Sequence, residues 1–392
     1  MAHPVHGADT PLDRVRALAS LIEASADQGE RDRRLPEPLV DALLEAELFR
    51  LLLPRSLDGG ELDPAMFVRV LEAVSRLDAS TAWCLGQAAG CSMVAAYLAP
   101  DAAREIFGGR RAVLAWGPGP EARAVVVDGG YRVSGTWSFA SGCRHATWLG
   151  GNCAVHEPDG TPLRRADGSV QGRWMLFPAA QAKMVDTWHV VGLRATGSDS
   201  FTVSNLFVPR EHSVARDDPA ERRHAGLLYC FPTNSLYASG FAGVAMGIAR
   251  SSLDAFVILA RQKTPRGFRQ PLRESAVVQR DLARAEAKLG AARALLLGSL
   301  EGVWEHVART GVLGLDQRIQ IRMAATHAIG EATAAVDFAY QAAGATSIFE
   351  RNAFERRFRD MHTVAQQLQG RESHFETVGR FLLGLEPDTT FV

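Results

Sequence analysis

The chain has 392 residues, of which 47% are apolar and 22% are charged, and its formal net charge is -1. These values are ordinary for a globular protein of two or three domains. They exclude the strong positive charge that attracts nucleic acid or anionic membrane surfaces, so we expect neither as a partner.

Cysteine usage and hydropathy bear on location. The five cysteines show no CxxC spacing, which argues against a disulfide framework or a metal site. The N-terminal sequence MAHPVHGADTPLDR lacks a basic stretch followed by an apolar one. The longest weakly polar run, residues 238–249, is shorter than the roughly 18–20 residues of a membrane span. We therefore expect a cytoplasmic protein that binds no metal.

Residues 1–110 are predicted to form a helical domain. Asp63 and Pro64 make an N-cap and first-turn pair. Apolar residues then recur at helical spacing as far as Leu77, which indicates a buried helix face. Residues 80–98 are mostly small and apolar, so we expect a fully packed inner helix there.

Residues 111–215 are predicted to form a small antiparallel β barrel or sandwich. The Asp128-Gly129-Gly130 sequence is typical of a hairpin turn. From Tyr131 to Phe139, apolar and polar residues alternate with the period of two that a strand shows. Pro209 ends the β-like segment.

Helical periodicity returns after this segment and continues to the end, so residues 216–392 are predicted to form a four-helix bundle. The fold class is therefore α+β and mainly α, with an N-terminal helical domain, a middle β domain and a C-terminal bundle. The predicted long helices span residues 235–261, 274–310, 316–344 and 353–383.

Two stretches carry the residue types that a flavin ring needs: residues 131–146 (YRVSGTWSFASGCRHA) and residues 187–198 (TWHVVGLRATGS). The isoalloxazine ring needs a flat slot with apolar or aromatic walls and hydrogen-bond partners at N5 and along its pyrimidine edge. We therefore interpret the stretches as walls of one pocket. An ordinary β domain with aromatic residues in its core and glycine in its turns explains the same residue types, and both explanations stay open on residue types alone.

Individual residues have predicted roles in this pocket. Ser141 could place a hydroxyl close to the ring, and Arg194 and Thr196 could donate hydrogen bonds along its edge. The candidate aromatic walls are Trp116, Trp137, Phe139 and Trp148. The candidate substrate contacts are Trp83, His145 and Tyr237. A turn position without a function explains the presence of His145 equally well, and core packing explains that of Trp83 and Tyr237 equally well.

Motifs in the same order resemble the acyl-CoA dehydrogenase superfold over most of the chain. They are Tyr131-x-Val-Ser-Gly135 with Phe139-Ala-Ser141, Phe207-Val-Pro209-Arg, Tyr340-Gln341-Ala-Ala-Gly344 and Glu355-Arg356-x-x-Arg359-Asp360. The resemblance implies a flavoprotein that assembles as a homotetramer through its C-terminal bundles. It also implies that Arg261 and Arg266 contact the flavin phosphates, and that Gln341 and Gly344 contact the nucleotide tail, across a subunit interface.

The dehydrogenases of this superfold abstract a proton with a glutamate, either shortly after the last motif or on the first helix after the barrel. At these positions the chain has the run QQLQG at 366–370 and Tyr237. Glutamine cannot accept a proton near neutral pH, so the dehydrogenase base is missing. Glu372 lies close by and would serve only if the helix register shifted.

The chain is also similar to the two-component flavin-dependent monooxygenases, in FASGCxHA at 139–146 and WHxxGLRxTGS at 188–198. These enzymes take reduced flavin from a separate reductase, form a C4a-hydroperoxide with O2 and hydroxylate a small molecule. In them, a serine at the position of Ser141 hydrogen-bonds N5. A histidine often faces the C4a oxygen. Here Gln367 stands in its place and could still donate a hydrogen bond, with His362 about one turn earlier.

The resemblance implies a flavin-dependent monooxygenase that hydroxylates a hydrophobic, aromatic or polycyclic small molecule. Its cofactor would be reduced FAD or FMN from a separate flavin reductase, and O2 its second substrate. An acyl-CoA dehydrogenase with a displaced base is the alternative. A helical scaffold that has lost catalysis and binds a partner is the third hypothesis.

Overall fold

The computed structural model describes residues 10–392, and its N-terminal part is helical, as predicted. Asp63 caps the third helix by accepting a hydrogen bond from the Met66 N–H at 2.9 Å, and Pro64 follows in the first turn. The fourth helix is buried, as the sequence predicts for residues 80–98, but it ends at Ser92 and a short 3-10 helix, Met93–Ala96, follows. The five helices are α1 (Pro11–Asp32), α2 (Glu37–Glu45), α3 (Pro64–Ser75), α4 (Ala79–Ser92) and α5 (Pro100–Phe107).

The middle of the chain forms one mixed sheet. Its strands are β1 (Leu114–Trp116), β2 (Arg123–Val127), β3 (Gly130–Trp137), β4 (Trp148–His156), β5 (Gly172–Pro178), β6 (Lys183–Val185), β7 (Ser200–Pro209) and β8 (Ser213–Val214). They lie in the order β6-β7-β3-β2-β4-β5-β8, and β1 pairs with β4.

The prediction of a wholly antiparallel domain is wrong at β4. This strand pairs in parallel with β1 and with β2, whereas the remaining pairs are antiparallel. The reason is the connection after the β2–β3 hairpin. Residues 138–147 connect β3, on one side of β2, to β4 on its other side. Because β4 runs opposite to β3, it runs in the same direction as β2. This connection contains Ser141.

The C-terminal part is a helical bundle made of α6 (Thr233–Gln262), α7 (Ala276–Thr310), α8 (Leu315–Ala343), α9 (Ala353–Gln366) and α10 (Ser373–Leu382). The mainly α, α+β fold class is thus confirmed. Helix α6 is long and apolar enough, by composition, to cross a membrane. Most of its residues are buried inside the fold, where it packs against α3, α4, α8 and α9. Its apolar character is therefore that of a core helix.

The fourth predicted helix is interrupted, which the sequence did not indicate. Helix α9 ends at Gln366, and Gln367 has an extended backbone (φ -70°, ψ 151°). The Gln367 side-chain oxygen accepts a hydrogen bond from the Gln369 N–H at 2.6 Å, replacing the bond that a continuing helix would make. A short 3-10 turn, Leu368–Gly370, leads to α10.

Asp360 joins the bundle to the β domain. Its carboxylate, on α9, accepts a hydrogen bond from the Leu193 N–H at 2.6 Å. Burial is the largest influence on this group and, against that hydrogen bond, raises the pKa of Asp360 from 3.8 to about 7. The folded protein therefore retains a proton that the unfolded chain releases in this interval.

We expect Asp360→Asn to change how stability depends on pH. Because the pKa of Asp360 is higher in the folded state, the wild type loses stability as the pH rises from about 4 to about 7, and the variant does not share this loss. Urea unfolding of both proteins should be measured between about pH 4 and pH 8. Over this range, the difference between their free energies of unfolding (wild type minus Asp360→Asn) should fall by a few kcal/mol. Parallel pH profiles would contradict this account.

Candidate active site

A large cavity lies where the β sheet meets α4, α6 and the end of α9. Its volume is about 1070 Å³, at the upper limit of the 300–1000 Å³ usual for small-molecule pockets. It can therefore hold a tricyclic ring together with a second small molecule. The predicted site residues that line it are Trp83, Trp116, Phe139, Ser141, Tyr237 and Gln367.

The two stretches predicted to be walls of one pocket lie side by side. The Gly142 N–H donates to the Thr196 carbonyl oxygen at 2.9 Å. The buried carboxylate of Asp199 accepts hydrogen bonds from the backbone N–H groups of Thr187 (2.8 Å) and Trp188 (3.0 Å). It also accepts one from the Nε of Arg144 at 2.6 Å, so a single carboxylate fixes both stretches.

Each stretch holds one non-glycine residue in the left-handed backbone region. Phe139 has a φ of 55° and Leu193 a φ of 51°. Such conformations cost about 1–3 kcal/mol each and persist where neighbouring bonds impose them. The turn that starts at Phe139 places its ring at the mouth of the cavity, where it is 64% exposed and meets the edge of Trp188 at a centroid distance of 6.1 Å. The hydrogen bond to Asp360 holds Leu193.

A chain of buried hydrogen bonds ends at the cavity. The Trp83 Nε1–H donates to Ser141 Oγ at 3.0 Å, and Ser141 Oγ lies 2.6 Å from Ser198 Oγ. Ser198 Oγ lies 2.7 Å from Thr196 Oγ1, which donates to the Leu193 carbonyl oxygen at 2.7 Å. All three hydroxyl residues are buried, while Ser141 and Ser198 border the cavity.

The direction of every bond in this chain follows from the number of protons. A hydroxyl has one proton to donate, and Thr196 gives its proton to a carbonyl oxygen. Ser198 must then donate to Thr196, and Ser141 must donate to Ser198. Ser141 accepts one hydrogen bond from Trp83 and keeps one unused lone pair. Toward the cavity, Ser141 is therefore an acceptor.

Stacked aromatic rings, beginning with Trp83 itself, also line the cavity. The Trp83 ring lies 3.8 Å from that of Phe241 at an interplanar angle of 7°, and the Tyr237 ring follows at 5.5 Å. Burial raises the pKa of Tyr237 well above its usual value, so its hydroxyl stays protonated and cannot act as a base near neutral pH. The ring of Trp116 contacts that of Trp174 at 4.2 Å. These rings give the dry, apolar surroundings that a flavin and an aromatic molecule require.

The predictions for three other residues of the β domain are corrected. His145 does not line the cavity; the turn at Gly142 directs its ring onto Phe49, at a centroid distance of 5.3 Å. Burial lowers the pKa of His145 to about 4. Trp137 is fully buried in the β core beside Phe177 and Phe201, and Trp148 packs against His212; neither borders the cavity.

The polar candidates at the ring edge lie behind the cavity wall. The hydroxyl of Thr196 is used within the hydrogen-bond chain, and Arg194 does not border the cavity, although its Nε is buried without a partner among residues 10–392. The residues predicted to act across a subunit interface are exposed, near the ends of α6 and α8 and outside the cavity, and their roles stay predictions. They are Arg261, Arg266, Gln341 and Gly344.

Gln367 and His362 border the cavity from the bundle side. The amide nitrogen of Gln367 is free to donate, because within the described chain only its oxygen is engaged, by Gln369. The Nε2 of His362 lies 2.8 Å from Asp337 Oδ1, so a carboxylate orients the imidazole. The sequence pointed to both residues, and it missed Trp174, Arg216 and Phe241, which carry no local motif.

Comparisons with known proteins agree with this geometry. Two family models match the chain: "Acyl-CoA dehydrogenase, N-terminal domain" over residues 12–106 and "Acyl-CoA dehydrogenase, C-terminal domain" over residues 239–370. Together they cover more than half of the chain, which belongs to the acyl-CoA dehydrogenase family.

Similar proteins indicate to which branch of the family the chain belongs. The indole-3-acetate monooxygenase of Pseudomonas putida is 29% identical over 386 residues, which cover 96% of this chain and 93% of that protein. The oxygenase component of the FADH(2)-dependent resorcinol hydroxylase of Rhizobium sp. is 28% identical, with 96% and 94% covered. The structure of XiaF from Streptomyces sp. in complex with FADH2 and glycerol matches with a TM-score of 0.89 and 26% identity, covering 97% of this chain and 96% of XiaF. Within the family, the chain falls in the branch of flavin-dependent monooxygenases, as the resemblance implied.

The loop between β1 and β2 gives a test of the cavity wall. A Cβ added to Gly117, which borders the cavity, would overlap the Ser138 carbonyl oxygen, whereas a Cβ on Gly109 would meet open space. We expect Gly117→Ala to lower the free energy of unfolding by about 1–3 kcal/mol, because the segment leading to Ser141 must move. The matched control Gly109→Ala should change it by less than about 0.5 kcal/mol in urea unfolding. Equal stability of the two variants would show that this wall is loosely packed.

Proposed function

We propose that this chain is the oxygenase component of a two-component flavin-dependent monooxygenase. It binds reduced FMN or FAD supplied by a separate reductase, takes up O2 and hydroxylates an aromatic small molecule. Of the relatives named above, one is a monooxygenase and the other is the oxygenase component of an FADH(2)-dependent hydroxylase. The observation that carries the proposal is the hydrogen-bond chain that ends at Ser141, at the edge of a cavity with aromatic walls.

The direction of hydrogen bonding at Ser141 favours the binding of reduced flavin over oxidised flavin. Reduced flavin carries a hydrogen on N5, whereas N5 of oxidised flavin is a bare acceptor. Since Ser141 can accept but has no proton to offer toward the cavity, it pairs with the N–H of the reduced ring and leaves the oxidised ring without a donor. A buried polar atom without a partner costs about 1–3 kcal/mol. The hydrogen-bond chain therefore selects the redox state of the flavin by hydrogen bonding alone.

When bound, the reduced flavin supplies two electrons to O2, so that one oxygen atom enters the aromatic molecule and the other leaves as water. The protein's own part is to orient and to exclude solvent. Trp83, Phe241 and Tyr237 present stacked apolar surface, which keeps water away from the reacting groups. His362, oriented by Asp337, is the group placed to exchange a proton, and Gln367 is placed to donate a hydrogen bond.

An acyl-CoA dehydrogenase would need a carboxylate beside the substrate. Within the described chain, no aspartate or glutamate borders the cavity. Glu372 is exposed and does not border it, because the helix break at Gln367 turns this segment outward. The geometry therefore favours the monooxygenase over the dehydrogenase with a displaced base. The cavity with its buried, hydrogen-bonded hydroxyls also argues against an inactive scaffold.

We further propose a homotetramer that works in the cytoplasm. Several large apolar side chains are exposed on the C-terminal part, which supports burial against further copies of the chain. They include Phe268, Ile348, Phe349, Leu382 and Leu383. The exposure of Arg261 and Gln341 is compatible with contacts to a flavin held by a neighbouring copy.

The direction of the hydrogen-bond chain can be reversed by one isosteric change. Thr196→Val removes the acceptor that takes the Ser198 proton, so Ser198 can donate to Ser141 and Ser141 gains a proton to offer N5. In anaerobic titrations, we expect the preference for reduced over oxidised flavin to fall about 10-fold. Thr333→Val, which removes another hydroxyl bonded to a carbonyl oxygen but on α8, is the matched control and should leave the preference unchanged. An unaltered preference in Thr196→Val would refute the proposed polarity.

Removal of the Ser141 hydroxyl, at the cavity end of the hydrogen-bond chain, tests the activity itself. With a flavin reductase, NAD(P)H and an aromatic substrate, Ser141→Ala should divert most oxygen consumption from hydroxylated product to hydrogen peroxide, because N5–H loses its partner. The ratio of product to NADH consumed measures the effect. Wild-type protein that binds neither reduced FMN nor reduced FAD would defeat the proposed function as a whole.

A further inference from the structure

Arg216 places a positive charge at the border of the cavity. Its guanidinium carbon lies 4.2 Å from the ring centroid of Trp174 and 5.3 Å from that of Trp116. The side chain is only 12% exposed, and all three residues line the cavity. Two indole rings therefore fix the plane of the cation, and cation–π attraction makes its position favourable.

The backbone beside Arg216 is also fixed. Asp217 has a φ of 65°, a left-handed conformation that is uncommon for an aspartate. Its Oδ1 accepts hydrogen bonds from the N–H (3.1 Å) and the hydroxyl (2.9 Å) of Thr233, at the start of α6. Its Oδ2 lies 3.1 Å from the Nε of Arg216. The Asp217 carboxylate is thus hydrogen-bonded to the start of α6 and forms an ion pair with the Nε side of the guanidinium.

The outer side of this guanidinium has no partner. No nitrogen of the Arg216 guanidinium donates a hydrogen bond to any residue between 10 and 392, and the buried Nε meets Asp217 only as an ion pair. The cavity border also carries the neutral amides of Gln87, Asn152 and Asn234, and a second arginine, Arg371. No aspartate or glutamate of the described chain borders the cavity, so Asp217 is the carboxylate that offsets this charge, on the Nε side alone.

An arginine in this state is suited to an anionic ligand. Its planar fork of N–H groups matches a carboxylate in a bidentate arrangement, and the partly buried position strengthens the attraction. The rings around it, Trp116, Trp174 and Tyr237, offer apolar surface to the rest of the same molecule. A small molecule that joins an aromatic ring to a carboxylate would meet both features at once.

We propose that Arg216 binds the carboxylate of the substrate, and that the substrate class is aromatic carboxylic acids such as arylacetates. This inference rests on the proposed function and makes it more specific. The phosphate of the flavin is a second source of an anion for the same guanidinium, and the experiment separates the two.

The test compares acids with their neutral amides. Indole-3-acetate, phenylacetate and benzoate are each paired with the corresponding amide, and binding is measured by calorimetry, first without flavin and then anaerobically with reduced FMN. For at least one pair, wild-type protein should bind the acid about 10- to 100-fold more tightly than the amide. Arg216→Gln should abolish this preference, and Arg216→Lys, which keeps the charge but loses the fork, should retain a smaller one. Reduced FMN should bind wild type and Arg216→Gln within about 2-fold.

Arg132→Gln is the matched control. Arg132 also stacks over an aromatic ring, that of Phe207 at 5.6 Å, but it is exposed on the sheet and does not border the cavity. This variant should keep the full preference for the acid. Thermal unfolding of each variant shows whether it is folded, and Arg216→Lys decides the outcome if Arg216→Gln is not.

Two results would overturn the inference. In the first, wild-type protein binds no acid better than its amide. In the second, the substitutions at Arg216 weaken the binding of reduced FMN while the preference for the acid persists, which would assign the guanidinium to the flavin phosphate. Failure of wild type to bind any reduced flavin would contradict the proposed function instead, and the flavin-free comparison of acid and amide would still decide the role of Arg216.

Discussion

The site depends on the fact that a hydroxyl group has one proton to donate. Thr196 gives its proton to a carbonyl oxygen, which forces Ser198 to donate to Thr196 and Ser141 to donate to Ser198. The hydroxyl that reaches the cavity can then only accept. Neutral groups in a fixed order thereby distinguish a ligand that carries an N–H from one that does not, without placing a charge beside a redox-active ring.

Three buried carboxylates hold this chain in place. Asp78 caps α4 by accepting the Thr81 N–H at 2.7 Å, and α4 carries Trp83. Asp199 holds the segment before the Leu193 turn, and Asp360 holds Leu193 itself. Burial raises the pKa of Asp78 and of Asp360, which shows that these positions oppose a charged group. The hydrogen bonds of Asp199 and Asp360 fix the segment that contains the strained Leu193, and the cap made by Asp78 fixes the helix that carries Trp83.

Much of the fold could be predicted from the sequence, because long helices repeat an apolar face over many turns. The first three helices of the bundle begin and end within two residues of their predicted limits. The break at Gln367 could not be predicted, because a side-chain hydrogen bond to the backbone ends the helix and no proline marks it. Motifs indicated Ser141, but alternation alone could not show that Trp137 points into the β core. Arg216 lies in an irregular segment whose position depends on α6, so no local pattern identified it.

The most direct measurement is an anaerobic crystal structure of the protein with reduced FMN or FAD bound. The account predicts that N5 lies about 3 Å from Ser141 Oγ, while Trp83 and Ser198 keep their hydrogen bonds to that oxygen. A flavin ring bound with N5 beyond hydrogen-bonding distance of Ser141, or outside the cavity between the sheet and α6, would contradict it.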